Sequence, residues 1–447
     1  MKCPRVAAAR CLASIAQEGS SLSRQLPREE QDLDPGQRSL YRELCYGTLR
    51  HYWRLDAGLK PLFSKGLKPK DSDVKMLILI GAYQLFYTRI PPHAAINSAV
   101  EGCRSLGKKW AAGMTNAILR RCQREKDTLL KGLKPAADAA FPAWLYQSLA
   151  QAWPDQLPEI ISASNAHPPF CLRLNRQHQE RDAYLLELAA LNMTASPCEF
   201  APYGIRLEQA CGVDKLPGFF DGHISVQDEA AQLCTELLDL QTGQRVLDAC
   251  AAPGGKTGAI LEAQPALREV LALDIDAQRL SRISENLARL QLGATLVTAD
   301  AADLDSWWDG NHFDRVLLDA PCSAVGVIRR NPDIKLNRVM SDIAPLCRLQ
   351  ANLLDSLWQC LSPGGLFVYA TCSLLPAENE EQISAFLSRE PSAELVPLNV
   401  NWGVDRSGCR QLFPQNQGQD GFFYALLRKK LSTQLLSATL EEHTISA

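Results

Sequence analysis

Val246-Leu-Asp-Ala-Cys-Ala-Ala-Pro-Gly-Gly-Lys-Thr257 is the stretch whose reading sets the fold. The apolar run Val246 to Ala249 reads as a buried parallel strand. A turn carrying Pro253, Gly254 and Gly255 follows, and Thr257 to Ala263 is helix-compatible. Strand, glycine turn and helix together bring bare backbone N–H groups and a helix N-terminus up to a ligand. A phosphate-cradling P-loop would need glycine five residues before Gly255, where this chain has Cys250, and the glycines do not fit G-x-G-x-x-G either. What remains is a close-approach turn at the carboxyl end of a strand in a doubly wound fold, without a sign of nucleotide phosphates.

Downstream of Ile224 strand and helix patterns alternate. Strands are expected over Arg245 to Ala249, Glu269 to Asp274, Ala294 to Asp300, Phe313 to Ala320 and Leu366 to Thr371, with helices Thr257 to Ala263, Ala277 to Leu290 and Ile343 to Leu361 between them. Such a βαβ series makes a parallel sheet with right-handed crossovers and both faces covered. Pro363-Gly364-Gly365 reads as the turn into the last of these strands, and Gly421 to Leu427 as an antiparallel edge strand. Upstream, Phe170 to Asn175, Asp182 to Leu191 and Gly204 to Leu207 alternate strand, helix, strand, which suggests a small α+β subdomain. Arg5 to Ala16, Gln37 to Tyr52, Val74 to Tyr87, Ala94 to Leu106 and Trp110 to Arg124 carry apolar residues at helical spacing. The expected organisation is therefore an all-α domain over residues 1–132, the α+β subdomain over 133–222, an α/β domain over 223–429, and a tail, 430–447, of unknown role.

Fifteen cysteines, an odd count with no C-x-x-C pair, point to a reducing cytoplasm and away from a disulfide framework or a zinc site. The sequence shows no signal peptide and no apolar run as long as a membrane span, so a cytoplasmic protein without membrane or metal is expected. The net charge of −3 hides an asymmetry. Residues 1–132 hold 23 Lys/Arg against 12 Asp/Glu, or +11, and residues 133–447 hold 24 against 38, or −14. A basic module joined to an acidic one suggests a polyanionic partner for the first. Its clusters, Lys60-Lys65-Lys68-Lys70, Lys108-Lys109 and Arg120-Arg121-Arg124, suit phosphates without base specificity. The helical module should then add affinity for that polyanion without chemistry, and a chain beginning near Ala143 should bind its small-molecule ligand normally but the polyanion more weakly.

In a doubly wound sheet, ligands sit beyond the carboxyl ends of the strands. The turn at 251–257 falls there, and so does Asp274, about twenty residues on, where a carboxylate accepts from ribose hydroxyls. Asp276 reads as a helix N-cap. Asp300 is placed for the adenine side of the same ligand. Asp319-Ala-Pro-Cys322 and Tyr369-Ala-Thr-Cys372 end two strands that are neighbours in most doubly wound orders, so two thiols would face one cleft. A thiolate beside an adenosine-type cofactor suits methylation of a pyrimidine at C5. Addition at C6 makes C5 nucleophilic, after which the C5 proton leaves and the thiolate is eliminated. One thiol, Asp319 and a second thiol supply the nucleophile, the acid and the releasing group, and spacing does not say which thiol does what. Between them, Ile328-Arg-Arg-Asn-Pro-Asp-Ile-Lys335 carries three cations that would grip a nucleic-acid backbone.

Asp248-Ala-Cys-Ala-Ala-Pro-Gly-Gly-Lys-Thr257, Asp319-Ala-Pro-Cys-Ser323 with Gly326-Val-Ile-Arg-Arg-Asn-Pro-Asp333, and Tyr369-Ala-Thr-Cys-Ser373 with Glu378-Asn379-Glu380 resemble the RNA 5-methylcytosine methyltransferases. Arg89-Ile-Pro-Pro-His-Ala94, Asn116-Ala-Ile-Leu-Arg-Arg121, Pro217-Gly218 with Val226-Gln-Asp228, and Asp420-Gly-Phe-Phe-Tyr-Ala425 are similar to the bacterial Sun/Fmu group within it, and the resemblance covers residues 5–428. It implies a NusB-like, RNA-binding N-terminal domain and a Rossmann-like domain that uses S-adenosyl-L-methionine to methylate C5 of a cytosine in 16S ribosomal RNA. It also implies Cys372 as nucleophile and Cys322 assisting release; a monomer is expected, though the sequence does not give the oligomeric state. The implied cofactor contacts are Ala251, Ala252, Pro253, Gly254, Gly255, Lys256, Thr257, Asp274, Asp300 and Asp319. The target cytosine stays open, as do two alternatives: the same chemistry on transfer RNA, and a non-catalytic RNA-binding assembly factor that keeps the fold.

Overall fold

The computed structural model describes residues 3–63 and 66–431, so most of the expected tail and Lys65 of the first basic cluster lie outside the described residues. The chain divides into two units. One runs from the N-terminus to His167 and includes Ile328–Met340; the other comprises Pro168–Val327 and the chain from Ser341 onward.

The first unit is helical. Pro4–Glu18, Pro35–Arg50, Ser72–Tyr87, Pro92–Ser105 and Ala112–Leu130 occupy the five expected segments. Three of them begin on proline, whose fixed φ suits a first helical residue and whose missing N–H would have no partner there. Leu12, Tyr41, Leu44, Leu77 and Leu119 meet in the core. Sequence neighbours of Ile328–Met340 on both sides belong to the other unit, yet this segment packs here. That corrects the expectation for its cations. Arg329 and Lys335 are 0% and 1% exposed. Lys335 Nζ donates to the carbonyls of Arg50 (2.9 Å) and Ala140 (3.1 Å) and to Asn165 Oδ1 (2.5 Å), over the ring of Phe141. Trp53 Nε1 donates to the Lys335 carbonyl at 2.8 Å, and Asp333 Oδ2 accepts from the Leu22 N–H at 3.0 Å. The ammonium's three protons meet three oxygens, so Lys335 holds protein and not phosphate, while Arg329 is withdrawn from solvent and Arg330 is half-buried. A chain beginning near Ala143 would lack Leu22, Arg50, Trp53 and Ala140, which contact this segment.

The second unit holds two sheets. The smaller is antiparallel in the order β2-β3-β1-β4, from β1 (Phe170–Leu174), β2 (Ala195–Pro197), β3 (Gly204–Leu207) and β4 (Ile224–Val226). The larger contains β5 (Arg245–Ala249), β6 (Glu269–Asp274), β7 (Thr295–Thr298), β8 (Phe313–Asp319), β9 (Leu361–Thr371), β10 (Ala393–Val396), β11 (Val404–Arg406), β12 (Cys409–Leu412) and β13 (Phe422–Lys429). Its order is β11-β12-β13-β9-β8-β5-β6-β7, with β10 also on β13. Strands β9, β8, β5, β6 and β7 are mutually parallel. Along them alternate residues feed two cores: Leu247, Leu318 and Phe367 on one face, Val246, Leu317 and Val368 on the other. Burial on both faces is why these strands read as continuous apolar runs.

Two local expectations change. The last strand is antiparallel but interior, paired with both β9 and β12, because the hairpin Val404–Leu412 supplies the edge instead. Pro363-Gly364-Gly365 lies inside β9, not before it. The register against β8 slips there, with Phe313 opposite Leu361 and Arg315 opposite Leu366, and Gly364 takes φ +78. That is a bulge in place of a turn. Among the described residues no helix is long and apolar enough to cross a membrane.

Candidate active site

The carboxyl ends of β9, β8, β5, β6 and β7 stand side by side, and they carry, in that order, Cys372, Asp319 with Cys322, the glycine turn, Asp274 and Asp300. Sheet order therefore assembles residues that are scattered over more than a hundred positions.

After β5 the chain turns at Cys250 (φ +60) and Gly254 (φ +93). A side chain at Gly254 would collide with Ile283, whereas at Gly255 nothing lies nearer than Gln227 Nε2 at 3.6 Å. The first glycine thus serves backbone shape and packing, and the second leaves an open face. Helix Gly255–Ala263 begins there, with the unpaired first-turn N–H groups of any helix start. Arg173 of β1 braces it from behind, donating to the Gly255 carbonyl (2.7 Å) and to both oxygens of Glu262 (2.8 and 2.7 Å). Ala252 donates its N–H to Asp274 Oδ2 at 3.0 Å, and Asp276 donates to Oδ1 at 3.0 Å. Asp274 is 2% exposed and shapes the turn, with the Arg279 guanidinium 3.8 Å from Oδ1. Asp276 caps the next helix through the N–H groups of Gln278 and Arg279, as its position suggested. Asp300 lies two residues beyond β7, exposed, accepting from the Ala302 N–H.

Lys256 Nζ meets Asp319 Oδ2 at 2.5 Å. Burial alone would lower the lysine, but Asp319 outweighs it and the Lys256 value rises above the usual one. Beneath the turn, Asp248 accepts from Thr257 Oγ1 at 2.6 Å, while its other oxygen is buried without a partner. Burial pushes its carboxyl up to about 7.

The two sulfur atoms are 3.6 Å apart. Cys322 is buried and Cys372 partly exposed. Hydrogen bonding to Cys372 and then burial hold the Cys322 thiol well above its ordinary value, so Cys322 keeps its proton. Gly326 is the close approach that makes this possible. Its N–H donates to the Cys372 carbonyl at 2.9 Å and its carbonyl accepts from Gly421 at 3.0 Å, in a space that a β-carbon would fill.

Sequence reasoning placed the thiols and the turn and quoted Asp248 and Glu378 within motifs without giving them a role, and it did not single out Arg173. Glu378 carried a signal. Pro-Cys-Ser and Thr-Cys-Ser each put a serine after the cysteine, and a carboxylate follows the second by five residues.

The polar groups fit an adenosylated amino acid: backbone N–H groups donate to a carboxylate, and the carboxylates accept from hydroxyl and amino groups. No group of three or more His, Cys, Asp or Glu side chains among the described residues is placed to hold a metal.

Comparison with known proteins agrees over all three segments. Residues 2–124 match the NusB family, 141–214 the ferredoxin-like domain of RsmF/B-like methyltransferases, and 235–428 the 16S rRNA methyltransferase RsmB/F family. Ribosomal RNA small subunit methyltransferase B of Pseudomonas putida is 51% identical over 428 residues, covering 95% of this chain and 98% of the relative. The protein of that name from Vibrio vulnificus is 46% identical over 429 residues, with 95% and 99% covered. The crystal structure of PH0851 superposes with a TM-score of 0.79 at 22% identity over 96% of this chain and 99% of that one. A methyltransferase homologue from Pyrococcus horikoshii gives 0.59 at 28% identity, over 66% and 100%. The chain belongs to the ribosomal RNA small subunit methyltransferase B family, with a NusB domain, a ferredoxin-like subdomain and a Rossmann-like methyltransferase domain.

Proposed function

We propose that this protein methylates C5 of a cytosine in 16S ribosomal RNA, in the cytoplasm, using S-adenosyl-L-methionine. The observation that carries the reading is the pair of sulfur atoms 3.6 Å apart at the ends of β8 and β9, next to the glycine turn of β5. S-adenosyl-L-methionine, when bound, supplies an electrophilic methyl group. Ala251 to Thr257 would hold it through backbone N–H groups, with Asp274, Asp300 and Asp319 taking its hydroxyl and amino groups.

Cys372, the more exposed sulfur, adds to C6 of the cytosine, and the electron pair moves to C5, which becomes the nucleophile. Asp319, held by Lys256 Nζ at 2.5 Å, keeps a second carboxylate oxygen to accept from the cytosine amino group. After methyl transfer the C5 proton leaves to a base, the C6–S bond breaks, and the ring is restored. Cys322, which retains its proton beside Cys372, is the group suited to managing that release. The exposed cations of the helical unit, among them Lys68, Lys70, Lys109, Arg120 and Arg124, suit the RNA backbone.

The test is a Cys322→Ala variant incubated with RNA and methyl donor. A covalent protein–RNA adduct is expected to accumulate and to vanish when Cys372 is also replaced by Ala. Survival of the adduct without Cys372 would reverse the two roles. Bisulfite sequencing of RNA from cells lacking the gene decides the substrate. Loss of one ribosomal site is expected, and loss of a transfer-RNA site would overturn the assignment.

A further inference from the structure

Glu378 is fully buried and stands between the two cysteine turns. Its Oε1 accepts from the Ser323 N–H (2.7 Å) and from Gln350 Nε2 (3.2 Å), and its Oε2 from Ser323 Oγ (2.5 Å) and Ser373 Oγ (2.5 Å). Ser323 follows Cys322 and Ser373 follows Cys372, so one carboxylate grips both turns at the residue next to each sulfur. Gln350 also donates to the carbonyl of Pro321 at 2.9 Å, just before Cys322. Tyr369 OH donates to the Glu378 carbonyl at 2.8 Å. Asn379 holds Thr371 Oγ1 (2.6 Å) and the Ser373 carbonyl (3.1 Å) on the other side of Cys372. Four donors converge on a group withdrawn from water, one for each of its lone pairs, and only a carboxylate offers four acceptor sites on two atoms.

We propose that Glu378 is a positioning residue that sets the spacing of Cys322 and Cys372 by clamping Ser323 and Ser373 to one carboxylate. It touches neither sulfur. Its effect is to make the two turns a single body, so that the proton held by Cys322 stays within reach of the bond that Cys372 makes and breaks. This deepens, and for its kinetic part rests on, the covalent route proposed above. A displacement of about 1 Å at a reacting group is enough to cost roughly 10²-fold in rate.

Glu378→Ala removes all four acceptor sites. Glu378→Gln keeps the shape and lets its amide oxygen accept while the serine hydroxyls turn to accept from its nitrogen. In the full-length protein kcat is expected to fall about 10²-fold for the Ala variant and about tenfold for Gln, with KM for RNA and for S-adenosyl-L-methionine within about threefold of the parent. A second readout needs no catalysis. Diamide oxidises the thiols of Cys322 and Cys372 to a disulfide, its N=N bond taking up the two hydrogens and two electrons. The rate of that closure should fall in the same order, parent, Gln, Ala. If the Ala variant does not fold, Gln and the Ser323→Ala and Ser373→Ala single variants carry both measurements. Unchanged kcat and unchanged closure in folded variants, or a change confined to KM, would overturn the clamp. If the parent leaves cytosine C5 unmethylated, the functional reading fails on its own and the closure rates alone decide the role of Glu378.

Discussion

The two units each bury a lysine, and they do so in opposite ways. In the methyltransferase unit Lys256 faces Asp319 at 2.5 Å, and the pairing raises it above its usual value. In the helical unit Lys335 faces three neutral oxygens, and burial, followed by Arg50, holds it well below. An ammonium removed from water keeps its charge cheaply only beside an opposite charge. The paired lysine holds its carboxylate at the carboxyl end of β8. The lysine among carbonyls ties together helices and the Ile328–Met340 segment. Buried charge therefore meets an opposite charge in one unit and neutral oxygens in the other.

The largest way to break this contrast lies in the methyltransferase unit. Arg173 and Glu262 form a buried bidentate pair, 6% and 3% exposed. Arg173→Ala strands the Glu262 carboxylate and removes the brace on Gly255, at a cost of about 3–5 kcal/mol. Urea unfolding should show that loss, with S-adenosyl-L-methionine binding weakened in the folded fraction by calorimetry. Lys335→Met comes next. It leaves three oxygens without donors but strands no ion, so a loss of about 2–4 kcal/mol is expected. Helix Pro35–Arg50 should lose hydrogen-exchange protection while β5 does not, and an equal loss in both would contradict the division of labour.

The smallest effect is a pair of opposed pH slopes. Burial lowers His51, stacked on Tyr87, to about 3, and raises Asp248 to about 7. Between pH 4 and 6.5 the unfolded chain binds the histidine proton that the folded unit refuses, so stability of the helical unit rises with pH. Over the same window folded Asp248 keeps a proton that the unfolded chain releases, so stability of the methyltransferase unit falls as pH rises. Each slope is at most about 1.4 kcal/mol per pH unit. Exchange followed at Pro35–Arg50 and at β5, corrected for the intrinsic rate, should show His51→Gln flattening the first and Asp248→Asn the second.

Much of the site was legible because it depends on short-range pattern. Apolar runs of strand length, a glycine turn and regular βα alternation place residues 251–257, Asp274, Asp319, Cys322 and Cys372 at strand ends, and a parallel sheet puts all strand ends on one side. The interior position of β13 and the bulge in β9 were not legible, since both depend on pairing between strands far apart in sequence. The cations of residues 328–335 misled for a related reason. A charge pattern does not state its neighbours, and the neighbours of Lys335 are residues 50, 140 and 165.

The sequence by itself determined the order of the strands' ends along the chain, the turn able to meet a ligand, and two thiols in motifs of one family. Tertiary structure alone decided which strands adjoin, that the two sulfurs meet at 3.6 Å, and that one carboxylate grips both of their turns. The physical reason is range. Backbone periodicity and turn chemistry act over a few residues, whereas a buried hydrogen bond selects its partner only once the chain has closed on itself.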